Sequence, residues 1–204
     1  RMSSPAVLAS SARVGALEVC GNSLEIASGV TLSVGEGLGT VAPVALNNRY
    51  CLNGPVYAKG CIGGTGTLDF GGAEGVVGVN FAYSYTDDGD TVRPAEISAR
   101  IAGTGGITFF SPAMAHANLV RALALSGAHP YTGGTLAENV VLLPRNAGSF
   151  GSGAVEIASR NGFGAQLLFG RDFKGGVFTN VLTVSGAGLR CDDAGEAVTN
   201  RWGL

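Results

Sequence analysis

Three carboxylates fall on one predicted turn, where their spacing would suit a cation. The run Asp87-Asp88-Gly89-Asp90 is rich in oxygen ligands of the kind that hold Ca²⁺. It lacks the distal glutamate of an EF-hand loop, and it is not part of the nonapeptide repeat of calcium-binding solenoids. We therefore predict a solvated turn and no metal site.

A second acidic spot consists of Asp192, Asp193 and Glu196. It could belong to the acid pair of a glycoside hydrolase, which requires two carboxyl groups roughly 5–10 Å apart. A charged surface loop is the alternative interpretation, and the sequence does not give the separation.

The histidines form no catalytic or metal-binding pattern. His116 and His129 are the only two in the chain, and their spacing matches no known ligand pair. The run from Gly148 to Gly153 superficially resembles the Gly-x-Ser-x-Gly turn of serine hydrolases, but it lacks the strand-to-helix context. We predict no catalytic residue and no cofactor, so that the chain is not an enzyme.

Aromatic side chains alternate along one predicted strand. Phe81, Tyr83 and Tyr85 share one face, and the acidic turn and a returning segment follow them. This order predicts a β-hairpin over residues 79–100 that protrudes from the fold. Its aromatic face could pack on the protein or stack on sugar rings. The candidate ligand contacts are Phe81, Tyr83, Tyr85, Asp87, Asp88 and Asp90.

The elements that would carry these side chains are short strands separated by tight turns. Three segments between residues 16 and 34 alternate apolar and polar residues, and only Gly21-Asn22 and Ser28-Gly29 separate them. These separators are too short for helical crossovers, so the strands either form a meander or turn the corners of a coil. We predict an all-β fold, a right-handed parallel β-helix (β-solenoid), in one elongated domain over residues 1–204.

Recurring glycines suggest the length of one coil. A Gly-x-Gly phrase precedes an apolar residue at Gly64, Gly103 and Gly186, and the gaps are near two and four times about 20 residues. The one helical candidate covers residues 112–123, where we expect at most one helical turn. Its last part, from Leu119 onward, reads equally well as a strand.

Composition excludes several classes of protein. With 34 glycines but no Gly-X-Y period the chain is not collagen, and 46% hydrophobic residues are too many for a disordered linker. A net charge of −2 gives no footprint for nucleic acid. No apolar run is long enough for a transmembrane helix. The chain begins with Arg1, and we expect it to be part of a longer precursor.

The four cysteines contain no Cys-x-x-Cys pair, which argues against zinc. Cys51 and Cys61 bracket a segment rich in turn formers and could close a disulfide in an oxidising compartment. In a coil, Cys20 and Cys191 would lie too far apart to bond. Small buried apolar side chains are the alternative role for these residues.

Residues 123–158 resemble the passenger-associated repeat of bacterial autotransporters, also called the autotransporter-associated β-strand repeat. The matching residues are Ser126, Gly127, Tyr131, Thr132, Gly133, Gly134 and Thr135 in the first half, and Asn146, Gly148, Ser149, Gly151, Gly153 and Val155 in the second. The departures are His129-Pro130, Val140 and Arg145. We predict turn positions with positive φ for the glycines Gly103, Gly105, Gly133, Gly134, Gly151 and Gly153.

The resemblance implies a right-handed β-helix on the outside of a Gram-negative-type bacterium, extracellular or at the cell surface. In that family the repeat is associated with secretion and folding of the passenger. Contact with a membrane would come only through a barrel that is missing from this chain. We therefore expect a surface scaffold or adhesin fragment that binds a host glycan or matrix protein through loops.

Two other functions remain open. A carbohydrate-active β-helix, a lyase or glycosidase, would need carboxylates and basic residues converging on one groove. A structural filament would arise through end-to-end self-association of exposed coil ends.

Overall fold

Nineteen short strands account for all the regular secondary structure in the residues that the computed structural model describes, which are 5–47, 60–80, 94–111, 122–158, 165–169, 173, 177–185 and 188–191. Within these ranges there is no helix, and in particular none long and apolar enough to cross a membrane. The strands, in chain order, are β1 (Ala6–Leu8), β2 (Ala12–Val14), β3 (Leu17–Cys20), β4 (Ser23–Ile26), β5 (Thr31–Val34), β6 (Val41–Asn47), β7 (Cys61–Gly64), β8 (Thr67–Asp69), β9 (Glu74–Asn80), β10 (Ala95–Ile97), β11 (Arg100–Ala102), β12 (Ile107–Phe110), β13 (Ala122–Leu125), β14 (Thr135–Glu138), β15 (Val141–Pro144), β16 (Val155–Ala158), β17 (Gln166–Phe169), β18 (Leu182–Ser185) and β19 (Gly188–Cys191).

The strands form three sheets, and the strand pairs in them are parallel. Sheet A runs β3-β6-β9-β12-β14-β16-β18, sheet B runs β1-β4-β7-β10-β13-β15-β17-β19, and sheet C runs β2-β5-β8-β11. Up to β12 the chain passes through B, C and A in turn and then re-enters B beside its previous strand, and after β12 it passes through B and A only. We call one such pass a coil and number the coils from β1. The all-β prediction is confirmed, and the parallel sheets are compatible with a β-solenoid.

Register stacks like side chains above one another in successive coils. In sheet B, Leu24 pairs with Ile62, Ile62 with Ile97, and Ile97 with Leu125. All four are buried, and their side chains belong to one apolar cluster that extends from Val19 to Phe169. Each such side chain contributes roughly 1.5–3 kcal/mol by leaving water, so the core is built coil by coil.

Sheet C stops at β11, after the fourth coil. In coils 5 and 6 the chain runs through residues 126–134 and 145–154 instead of a sheet C strand. Pro130 lacks the N–H that a ladder needs, and neighbouring glycines disfavour extended strand, so the local sequence explains the interruption. The interruption does not change the length of the coil. The step from Ile97 to its partner Leu125 is 28 residues and that from Leu125 to its partner Pro144 is 19. This difference lies in the passage from sheet A to sheet B, which takes residues 111–121 in coil 4 and residues 139–140 in coil 5.

Strands β13 and β15 are buried on both faces. Their inward residues join the main core, and Ala122, Ala124, Val141 and Leu143 form a second, smaller apolar cluster. A strand covered on both sides reads as continuously apolar, which explains why residues 122–125 show no alternation.

The Gly-x-Gly period is wrong as a measure of coil length. Gly64 ends β7 in sheet B, and Gly103 lies between sheets C and A. Gly186 lies outside the described residues, and Gly188, the last glycine of that phrase, begins β19 in sheet B. These positions are not equivalent, because the phrase serves different turns. Of the helical candidate, only residues 122–123 are described, and they lie in β13; residues 112–121 lie outside the described part.

The ends of the predicted hairpin over 79–100 belong to the coil. Asn80 ends β9 in sheet A and Ala95 begins β10 in sheet B, and each strand pairs in parallel with neighbouring coils. An antiparallel hairpin would therefore be confined to residues 81–93, which lie outside the described residues.

Candidate functional site

Three of the predicted turn glycines lie above one another in consecutive coils, where backbones approach closely. A Cβ on Gly105 would overlap the carbonyl oxygen of Ala73, and one on Gly133 would overlap the carbonyl group of Gly105. A Cβ on Gly153 would in turn overlap the carbonyl oxygen of Gly133. We call Gly105, Gly133 and Gly153 the glycine column. Its members are glycine because no side-chain atom fits between the coils.

The positive-φ explanation holds for two of the six predicted glycines. Gly103 has φ 140° and Gly151 has φ 58°. The other four, Gly105, Gly133, Gly134 and Gly153, do not have positive φ, so the predicted conformational reason is wrong for them. Steric closeness replaces it in the glycine column.

Polar side chains of residues 145–154 bind the backbone of the preceding coil. The Asn146 Nδ2 donates to the carbonyl of Ser126 in the preceding coil at 2.9 Å, while its Oδ1 accepts from the Gly148 N–H of its own turn at 2.9 Å. The Ser149 hydroxyl donates to the carbonyl of Leu125 at 2.7 Å. Side-chain hydrogen bonds thus connect coils 5 and 6 where the chain forms no sheet C strand. These side chains hold coils together.

Residue His129 is 4% exposed and binds the backbone. Its Nδ1 accepts from the Ile101 N–H at 3.1 Å, and its Nε2 is buried without a hydrogen-bond partner. Burial lowers the pKa of the imidazole to about 4, so it is neutral at pH 7. Because the accepting nitrogen is occupied by a backbone donor, His129 is not placed to activate a serine.

The other polar contacts of this region are also internal. The Tyr131 hydroxyl and the Thr135 hydroxyl lie 2.6 Å apart within the core, and burial raises the pKa of Tyr131. The Ser126 hydroxyl donates to Glu96 at 2.7 Å. Ser126 therefore binds a carboxylate and not an imidazole, which is not the arrangement of a nucleophile and its base.

The described carboxylates mainly serve turns and outer faces. Asp69 accepts from the Gly71 N–H at 3.0 Å, and Glu74 accepts from the Thr108 hydroxyl at 2.6 Å. The pair Arg13–Glu36, at 3.8 Å, is largely exposed, so its contribution to stability is small. No group of three His, Cys, Asp or Glu side chains suited to a metal occurs in the described ranges.

Every candidate ligand contact lies outside the described residues: Phe81, Tyr83, Tyr85, Asp87, Asp88 and Asp90. The same applies to His116, to Asp192, Asp193 and Glu196, and to Cys51. Its predicted disulfide partner Cys61 begins β7, is partly buried, and pairs in register with Ser23 and Glu96. The disulfide stays a prediction.

Long connections recur at one corner of the coil, where the chain passes from sheet A to sheet B. Residues 48–60, 81–94 and 111–121 make this passage in three consecutive coils. In coils 1 and 5 the same passage takes only residues 21–22 and 139–140. Since adjacent parallel strands lie about 4.8 Å apart, the ends of the three long connections are stacked closely. We call this the A–B corner.

No family model matches the chain, and the searches of curated proteins and of solved structures found no match.

Proposed function

We propose that this chain is a non-enzymatic β-solenoid scaffold, a passenger fragment of an autotransporter-like protein that is secreted or displayed on a Gram-negative-type cell. It binds a host glycan or matrix protein through loops. The observation that carries the proposal is the A–B corner, where three consecutive coils interrupt short strands with long connections. The repeat-like residues 123–158 supply the link to autotransporters.

The mechanism is display. Parallel ladders and a continuous core hold the coils in fixed register, so segments anchored on adjacent coils are kept near one another. A binding surface assembled from several anchored segments loses less entropy on binding than separate flexible loops would. The middle connection carries Phe81, Tyr83 and Tyr85, and aromatic rings are suited to stacking on sugars.

Two finer features of the fold belong to the same proposal. The coil is right-handed, because crossovers between parallel strands of one sheet are right-handed in nearly all proteins. Residues 81–93 form a hairpin that projects from the A–B corner, with Asp87, Asp88 and Asp90 at its tip.

The test compares three forms of the chain on a glycan array and on immobilised matrix proteins. In one variant, Gly-Asn replaces residues 81–93, copying the short crossing Gly21-Asn22 at the same corner. In a second variant, which keeps the length of the connection and changes its side chains, a Gly/Ser segment of equal length replaces them. We expect both variants to lose binding and to keep a native β-sheet circular dichroism spectrum and cooperative melting.

Undiminished binding by both variants would overturn the role of residues 81–93. If replacing residues 48–59 and 112–121 in the same way also left binding intact, display from the A–B corner would be wrong. Turnover of a polysaccharide by the unaltered chain would instead favour a carbohydrate-active lyase or glycosidase.

A further inference from the structure

Strand β11 leaves a backbone donor facing a coil that has no sheet C strand. The Arg100 N–H donates to the Gly66 carbonyl, and the Ala102 carbonyl accepts from the Phe70 N–H, so both face β8 and its flanks. In a parallel ladder, alternate residues bond to opposite neighbours. The N–H of Ile101 therefore points toward coil 5, where residues 126–134 replace a strand.

The imidazole of His129 occupies the place of the missing acceptor. Its Nδ1 accepts a hydrogen bond from the Ile101 N–H at 3.1 Å, in a buried setting. The backbone holds the ring there, since the His129 N–H donates to the Gly148 carbonyl of coil 6 at 3.0 Å. The ring also lies against Gly127, where a Cβ would collide with it. The side chain is thus fixed between coils 4 and 6.

We propose that His129 is a proton-operated closure of the sheet C edge: the neutral imidazole holds residues 126–134 against β11, and the protonated imidazole releases them. In the neutral form, Nδ1 accepts the Ile101 hydrogen and the edge is closed. When a proton binds Nδ1, the imidazolium has two donors and no acceptor. The Ile101 N–H then loses its partner and a positive charge is buried, so residues 126–134 detach locally to hydrate the ring.

The surroundings of the ring favour the neutral form. In its own coil the titratable neighbour is Tyr131, with ring centroids 6.4 Å apart, and Tyr131 is bound to Thr135. Glu96 of β10 accepts the Ser126 hydroxyl, and Arg100 of β11 is exposed. On the coil 6 side the charged residue of the turn is Arg145, a further cation. Burial is the cause of the lowered pKa, which is about 4.

The sign of the pH effect follows from that shift. The ordinary histidine pKa of 6.5 applies once the ring is exposed, and the closed form has a pKa of about 4. The closure is therefore fully stable above pH 6.5 and is lost progressively as pH falls toward 4. At pH 5 these two values make local opening about 30-fold more favourable than at pH 7.5.

The experiment follows hydrogen exchange of the Ile101 amide in the full chain at pH 7.5 and pH 5, expressed as protection factors. The Thr67 amide in coil 3, which donates to Val30, is the internal reference. We expect Ile101 protection to fall about 30-fold relative to Thr67 between the two pH values. In His129→Gln, whose amide oxygen accepts at every pH, the fall should be under about threefold.

The variant His116→Gln is the matched control, because the chain has two histidines, and it should keep the full response. The proposal is overturned if Ile101 protection in the unaltered chain is equal at both pH values. It is also overturned if His129→Gln retains the whole response. Should His129→Gln fail to fold, an NMR titration of the unaltered chain decides, and an imidazole of His129 that titrates at 6.5 or above refutes the closure.

Discussion

Replacing Gly133 by alanine tests the central packing feature of the molecule, the glycine column. The new Cβ would overlap the carbonyl group of Gly105 in the coil before. Room for a methyl group at ordinary contact distance requires the two backbones to separate by more than about 1 Å. The neighbouring ladder bond, from the Ile107 N–H to the Gly134 carbonyl at 2.8 Å, would then exceed hydrogen-bonding distance.

The magnitude follows from two contributions. Overpacking in a site that cannot relax costs about 1–3 kcal/mol, and each ladder bond lost costs about 1 kcal/mol. We expect Gly133→Ala to lower the free energy of unfolding by about 3 kcal/mol. For a chain of this length the melting temperature should fall by about 6–12 °C.

The adjacent Gly134 provides the matched control. A Cβ there would lie 3.3 Å from the carbonyl oxygen of Ala154, a tight contact without overlap. The position after Gly153 in coil 6 is itself an alanine, Ala154. An alanine restricts the unfolded chain, which stabilises by about 0.4–1 kcal/mol and offsets the contact. We expect Gly134→Ala to change stability by less than about 1 kcal/mol.

The assay is thermal and urea unfolding followed by circular dichroism at pH 7.5. Equal melting temperatures for Gly133→Ala and Gly134→Ala would refute the argument that space between coils, and not backbone conformation, selects glycine at residue 133. A large loss in both variants would show that the whole turn tolerates no side chain, which also contradicts the geometry.

Three further substitutions give expected outcomes in the same unfolding assay. Asn146→Ala removes both of the 2.9 Å hydrogen bonds that its side chain makes to backbone groups, and it should lower the free energy of unfolding by about 2 kcal/mol. An unchanged urea midpoint would contradict the conclusion that this side chain holds coils together. Tyr131→Phe leaves the buried Thr135 hydroxyl without its 2.6 Å partner and should lower the free energy of unfolding by about 1–3 kcal/mol. The double variant with Thr135→Val should recover part of this loss, and strictly additive effects of the two substitutions would contradict the coupling between the hydroxyls. Gly29→Ala puts a methyl group in open space at φ 73° and should lower the free energy of unfolding by only about 1–2 kcal/mol, through backbone strain. A loss as large as that of Gly133→Ala would contradict this assignment.

Local signals in the sequence predicted the strands well where one face is buried. The segments between residues 16 and 34 alternate apolar and polar side chains, and they become β3, β4 and β5. The two-residue separator Gly21-Asn22 correctly excluded a helical crossover. The separators alone left a meander and a coil both open, because strands joined by two residues can also pair with each other in an antiparallel hairpin. The parallel pairs of β3, β4 and β5 with strands of other coils distinguish the two.

Features that depend on distant neighbours were not predictable in this way. The reason for glycine at residue 133 lies in Gly105 and Gly153, which are adjacent in space but far apart in the chain. The coil length was misjudged for a related reason. The connections at the A–B corner differ greatly in length, so equivalent positions of successive coils are not separated by a constant number of residues. The role of His129 required the register of β11, and the adjacent Pro130 indicated only that no strand continues there.

At the A–B corner, the length of a connection does not affect the arrangement of the strands that it joins. Crossings of two residues and of more than ten return the chain to the same column of sheet B, because neighbouring coils fix that column. Protein engineers could use this property. The short crossing at residues 139–140 is a natural insertion point for an epitope or a small cargo domain. Glu138 at the end of β14 and Val141 at the start of β15 already fix the positions of the two attachment points.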